Sequence, residues 1–157
     1  NHYFMVDIIA EAIKTEENAL LLFLGRGDAM YGVREYAIKK GVSEHIKFMG
    51  SRTDISRFYQ AMDLFLFPSF HEGLPIAGIE AQTADLPCLF SDAITSEIMI
   101  TDRAVSVPLD LGASEWAKKA ILLAKAQGRE NVADKIIALG YDAADMGKRM
   151  ERIYEQQ

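Results

Sequence analysis

The chain has 157 residues, enough for one domain with a buried core. Half of it is hydrophobic, a quarter is charged and the net charge is −6, a balance that argues against disorder and against general binding to nucleic acid or an anionic membrane. A single cysteine, Cys88, excludes an internal disulfide and a cysteine zinc cluster, and no apolar run reaches the ~20 residues that span a bilayer.

Met5, Ile8, Ile9, Ala12 and Ile13 fall on one face of a helix, with Asn1 placed to cap it. Leu20 to Leu24 is a continuous apolar run ended by Gly25, which reads as a strand buried on both faces. Val33, Tyr36, Ala37 and Lys40 mark a second helix, closed by Gly41. Ile46 to Met49 is a short strand followed by Gly50, and Thr53 or Asp54 then caps a helix running to Met62. Leu64 to Phe67 is a buried strand stopped by Pro68, and Pro75 opens the next helix. Leu86 to Phe90 and Ala104 to Val107 are two more strands. Helical patterns over Ser114 to Gln127, Arg129 to Leu139 and Asp142 to Glu155 finish the chain, the last with Met146, Met150, Ile153 and Tyr154 as its apolar stripe.

Strands alternating with helices predict an α/β fold, a parallel sheet with helices on both faces. Ligands of such sheets sit beyond the carboxyl ends of the strands, here just after Leu24, Met49, Phe67 and Phe90. A wound sheet normally opens with a strand, whereas this chain opens with a helix. The order of segments therefore predicts a domain that lacks its first strand, the alternative being a domain that simply starts with a helix.

The stretch from Pro68 to Ala81 holds the chemistry. The helix from Ile76 to Ala84 is apolar except for Glu80, so it reads as buried all round. A buried carboxylate there must reach the sheet edge or accept bonds from donors that include a ligand. Gly78 inside the same helix implies close packing or a ligand near the backbone. Glu72 stands ahead of the helix start, where free N–H groups from Gly73 onward suit an anion. A carboxylate at such a place suits neutral hydroxyls or a developing positive charge better than phosphate. The plainer reading, a solvated Glu72 and a capped Glu80, stays open beside it. Phe58 to Asp102 carries seven acids and no lysine or arginine, so cations for a phosphate would come from Arg26, Arg52, Arg57 or residues ahead of Asn1. Gly25-Arg26-Gly27 has the look of a phosphate turn, but Met30 stands where a dinucleotide fingerprint needs Gly or Ala. This disfavours a nicotinamide oxidoreductase. The three histidines lack metal-ligand spacing, and Cys88 reads as inert core.

Phe67 to Asp92, as F-P-S-x-x-E-G-L-P-x-x-x-x-E-A followed by L-P-C-L-F-S-D, resembles the donor-binding half of family four retaining glycosyltransferases of GT-B architecture. Glu72 and Glu80 match the family's pair of glutamates with seven residues between them. Leu22 to Gly27 resembles its strand with a Gly-x-Gly turn, and Phe48-Met49-Gly50 and the Tyr59 to Asp63 stretch resemble its F-x-G and tyrosine-to-acid segments. Thr95 to Trp116 and the final helix resemble the exopolysaccharide and capsule subgroup. Asp85 departs from the glycine usual after the helix.

The resemblance implies that residues 1–157 are a truncated nucleotide-sugar-binding C-terminal domain without its acceptor-binding partner domain. It implies Glu72 against the donor sugar as the catalytic carboxylate, and Glu80 on the ribose hydroxyls. Gly73, Leu74, Pro75 and Ile76 would hold the diphosphate and sugar, Arg52 would meet the base, and Gly25 would line the cleft. No metal and no cofactor are implied. The donor is a nucleoside diphosphate sugar, UDP foremost, and the acceptor a carbohydrate or lipid-linked hydroxyl. Nucleic acid is not a partner. The expected place is the cytoplasm, with the intact protein at the inner face of the membrane. A non-catalytic nucleotide-binding domain and a sugar-nucleotide epimerase of similar architecture are the rival readings.

Overall fold

The computed structural model describes residues 1–126, 128–141 and 143–155. The elements run α1 (His2–Ala12), β1 (Leu21–Leu24), α2 (Met30–Lys40), β2 (Ile46–Gly50), α3 (Ile55–Ala61), β3 (Phe65–Phe67), α4 (Ile76–Thr83), β4 (Cys88–Ser91), β5 (Ala104–Val107), α5 (Gly112–Ala124), α6 (Ala133–Ala138) and α7 (Ala143–Glu155). This is the alternating order expected from the sequence. All the strand pairs are parallel, with β1 against β2 and β4 between β3 and β5. Among the described residues no ladder joins β1 to β3, so the sheet stands as two pieces.

One core nevertheless spans both pieces. Leu21 and Ile46 from the first and Leu89 and Val107 from the second share a cluster with α1, α2 and α5. Trp116 of α5 anchors it: the indole is fully buried, donates Nε1–H to the Pro108 carbonyl at 2.9 Å and meets the Phe4 ring edge-on. Successive strand residues face opposite sides. Cys88 and Phe90 accordingly leave that cluster and join a second core with Ala81 of α4, Tyr59 of α3, Leu86 and Ile98. Helices thus cover both faces, and α3 with α4 forms the layer that carries the site.

Several local expectations are corrected. Of the Leu20 to Leu24 run only Leu21 is buried, Leu22 to Leu24 are half-buried, and Leu20, ahead of β1, is exposed. Asn1 occupies the N-cap of α1 without a side-chain bond. Asp54 is the N-cap of α3, but its carboxylate turns to Arg52 instead of capping the helix. The α4 helix is not buried all round: it buries Gly78, Ala81 and Gln82 and exposes Ile76 and Glu80.

Residues 128–132 are not helical, and α6 is shorter than expected. This segment spends its polar groups on tertiary bonds: Arg129 donates to three carbonyls, and the Glu130 N–H donates to Asp85 Oδ2 at 2.6 Å. On α7, Met150, Ile153 and Tyr154 of the expected stripe are exposed. Gln127, Asp142 and the Met146 side chain lie outside the described residues.

Candidate functional site

Glu72, Gly73, Leu74, Pro75 and Ile76 form one continuous path from β3 into α4, at the carboxyl end of the strands. Pro75 is buried and extended (φ −73°, ψ 112°), and no side chain caps the helix after it. The Gly78 N–H turns back to the Pro75 carbonyl at 3.0 Å, whereas the Ile76 and Ala77 N–H groups, at the very start of α4, have no intrahelical acceptor. Glu72 is exposed, and its Oε1 lies 3.3 Å from the Ser69 hydroxyl. Ser69 in turn is tied to β4, since the Ser91 hydroxyl donates to the Ser69 carbonyl. The end of β4 thereby holds the root of the loop that carries Glu72.

Glu80 lies four residues after Ile76, about 6 Å along the axis and on the same helix face. Its carboxylate is exposed, not buried as the apolar helix suggested. Oε2 accepts the hydroxyl of Tyr59 from α3 at 3.2 Å. Around these acids Phe70, Leu74 and Ile76 are exposed apolar side chains, Ile76 to 71%. Exposed acids set among exposed apolar groups suit a ligand that is part hydroxylated and part flat.

Gly78 owes its place to packing and not to a ligand. A Cβ there would lie 2.9 Å from the Phe90 ring and 3.0 Å from Ile98 Cδ1.

The remaining expected residues lie on neighbouring loops. Gly25, at φ +123°, follows β1 and donates its N–H to the Gly50 carbonyl at 2.8 Å. Such a backbone angle favours glycine. Gly25, Arg26 and Gly27 line a cleft with Phe23, Phe48 and His2. Arg52 follows Gly50 and forms a two-pronged pair with Asp54, Nε to Oδ1 and Nη2 to Oδ2 both at 2.9 Å, with its guanidinium over the Phe58 ring. The Arg52 hydrogen bonds hold the Asp54 carboxyl below its ordinary range. Among the described residues no hydrogen bond links the Gly25 and Arg52 loops directly to Glu72 or Glu80. Tyr59, Ser69 and Ser91 support the acids; the sequence analysis placed them in the resembling stretches but gave them no role. The one available signal was that a buried tyrosine hydroxyl needs a partner. Among the described residues no group of three or more His, Cys, Asp or Glu side chains is placed to hold a metal ion, and no helix is long and apolar enough to cross a membrane.

Parallel strands, an uncapped helix start and acids beyond the strand ends define an α/β layer of the kind that takes its ligands at the carboxyl ends of the strands. Residues 1–142 match the family of glycosyl transferases group 1, and the chain belongs to that family. The chain is 30% identical over 148 residues, 91% of its length, to the protein named as glycosyltransferase EpsF of Bacillus subtilis (strain 168), of which it covers 38%. It is 31% identical over 122 residues, 74% of its length, to the capsular polysaccharide biosynthesis glycosyltransferase CapH of Staphylococcus aureus, of which it covers 34%. Among solved structures, that of Anabaena HepE in complex with UDP superposes with a TM-score of 0.77 at 17% identity, over 98% of this chain and 45% of that one. The fold is accordingly that of one half of the GT-B architecture. The chain spans about a third of the length of these curated relatives.

Proposed function

We propose that this chain is the donor-binding half of a retaining glycosyltransferase. The intact enzyme would move a sugar from a nucleoside diphosphate sugar, UDP foremost, to a hydroxyl acceptor in the making of a bacterial surface polysaccharide. The observation that carries this reading is the β3–α4 segment: exposed Glu72 on the loop, the uncapped first turn of α4, and exposed Glu80 one turn further on.

In this reading Glu80 accepts the ribose hydroxyls. The N–H groups of Gly73, Leu74 and Ile76, with Pro75 shaping the turn, receive the diphosphate. Departure of the nucleotide builds negative charge on the diphosphate, and the helix start stabilises it. Positive charge builds on the sugar ring, and the Glu72 carboxylate opposes it electrostatically. Arg52 and its loop meet the base, and Gly25 lines the cleft. The acceptor, a carbohydrate or a lipid-linked hydroxyl, belongs to a second domain, and the intact protein works in the cytoplasm at the inner membrane face. The share of the relatives' length that this chain covers supports a larger protein, as do the β1 and β3 edges left without a ladder between them. The CapH name and the UDP held by HepE support the polysaccharide and the nucleotide.

Calorimetric titration of the intact protein with UDP-, GDP- and ADP-sugars tests this. One nucleotide class should bind, Glu80→Ala should weaken it more than Glu72→Ala, and Glu72→Ala should reduce transfer more than binding. The reverse order of the two binding losses overturns the roles. Binding without turnover on any hydroxyl acceptor favours a non-catalytic domain.

A further inference from the structure

Glu80 does not meet solvent as an isolated side chain. The Tyr59 hydroxyl lies 3.2 Å from its Oε2 and 3.3 Å from the Ala77 carbonyl, so one proton from α3 serves two acceptors on α4. The Tyr59 ring is 6% exposed and packs edge-on against Phe65, so its direction is fixed by packing. Burial, and then the charge of Glu80, push the phenol well above its ordinary range. It therefore stays a donor wherever the protein is folded. Among the described residues Glu80 Oε1 accepts no hydrogen bond, which leaves one carboxylate oxygen held and one open.

The two helices are themselves joined at their ends by one side chain. Arg129 Nη1 donates to the Tyr59 carbonyl at 2.7 Å and to the Ala84 carbonyl at 3.2 Å, and Nη2 donates to the Met62 carbonyl. Met62 is the C-cap of α3 and Ala84 the C-cap of α4. A guanidinium at two helix C-termini satisfies orphan carbonyls and sits at the negative end of both dipoles. Its planar fork makes the spacing of the two ends definite.

We propose that Arg129 and Tyr59 are positioning residues for Glu80: Arg129 sets α3 against α4, and Tyr59 holds one oxygen of the Glu80 carboxylate so that the other is presented to a vicinal diol. This rests on the reading that Glu80 grips the ribose. In this reading Tyr59 acts on the nucleotide only through the Glu80 carboxylate, so its loss falls on the hydroxyl contacts.

The test is calorimetry on the intact protein with UDP and with 2′,3′-dideoxy-UDP, using wild type, Tyr59→Phe, Glu80→Ala and the double variant. Tyr59→Phe should weaken UDP binding about three- to tenfold, the weight of one hydrogen bond. It should leave dideoxy-UDP affinity unchanged and add nothing in the Glu80→Ala background. Equal losses for both nucleotides, an additive loss in the double variant, or no loss in Tyr59→Phe while Glu80→Ala weakens UDP overturns the inference alone. Unchanged UDP affinity in Glu80→Ala sinks the ribose reading and this inference with it. Arg129→Lys keeps the charge without the fork, and should show the same diol-selective loss in a folded protein. A lowered melting temperature with UDP affinity intact overturns the role of Arg129.

Discussion

Gln82 Oε1 accepts both the backbone N–H and the hydroxyl of Thr101, at 3.0 and 3.2 Å. It accepts the Ile100 N–H as well, while Nε2 donates to the Gly78 and Ile98 carbonyls. The side chain is fully buried, and these bonds tie α4 to the segment before β5. Replacing Gln82 by Leu strands the N–H and hydroxyl of Thr101 in the interior, while the Ile100 N–H keeps the Ile98 carbonyl at 2.9 Å. Each orphaned group costs roughly 1–3 kcal/mol, so the variant should lose about 2 kcal/mol or more, read as a drop in the urea midpoint.

Gly78 lets α4 lie directly on β4. Alanine gains about 1 kcal/mol of helix propensity, but its methyl meets the Phe90 ring, which is buried and hemmed in by Phe65 and Phe67. Overpacking of this kind costs about 1–3 kcal/mol. Gly78→Ala should therefore be less stable than wild type in thermal unfolding, and Phe90→Leu in the same chain should return part of the loss.

Asp85 is the one described non-glycine residue with positive φ, +49°. Its carboxylate accepts the Glu130 N–H at 2.6 Å and lies 3.4 Å from Arg103 Nε. Glycine at this place relaxes the backbone and loses both bonds, whereas asparagine tolerates the angle and keeps an acceptor. The expected order of stability is Asp85, then Asn, then Gly, then Ala, with Asp85→Ala down by about 2 kcal/mol, measured by chemical denaturation.

Cys88 is fully buried and directs its thiol to the Leu86 carbonyl at 3.1 Å. Burial, and then the charge of Asp85, push the thiol well above its ordinary range. The nucleophile is the thiolate, so folded protein should resist a thiol-disulfide reagent at pH 8 and titrate one group after urea is added. Rapid labelling of the folded protein would contradict the burial.

The order of elements and the β3–α4 segment were legible in the sequence because apolar runs, glycines and Pro75 punctuate them locally. Gly41 at φ +72°, closing α2, shows the same local logic. Exposure was less legible. An apolar α4 suggested burial on every side, yet Ile76 and Glu80 face outward, since whether a neighbour covers a helix face is decided elsewhere in the chain. The Asp54 cap failed because it had a charged rival, Arg52, two residues away, and a two-pronged pair with a guanidinium outcompetes a single bond to a backbone N–H. The Arg129 bonds lie 45 to 70 residues away in sequence, and no periodicity announces contacts of that range. They also explain why the helical pattern from Arg129 did not become a helix there.

The β1 and β3 margins have a practical side. A strand that pairs on one flank only displays a row of backbone donors and acceptors, and such a row recruits any extended peptide that drifts past. Produced by itself, this stretch will tend to template clumps of its own copies, so low concentration and brief storage will govern the quality of any sample.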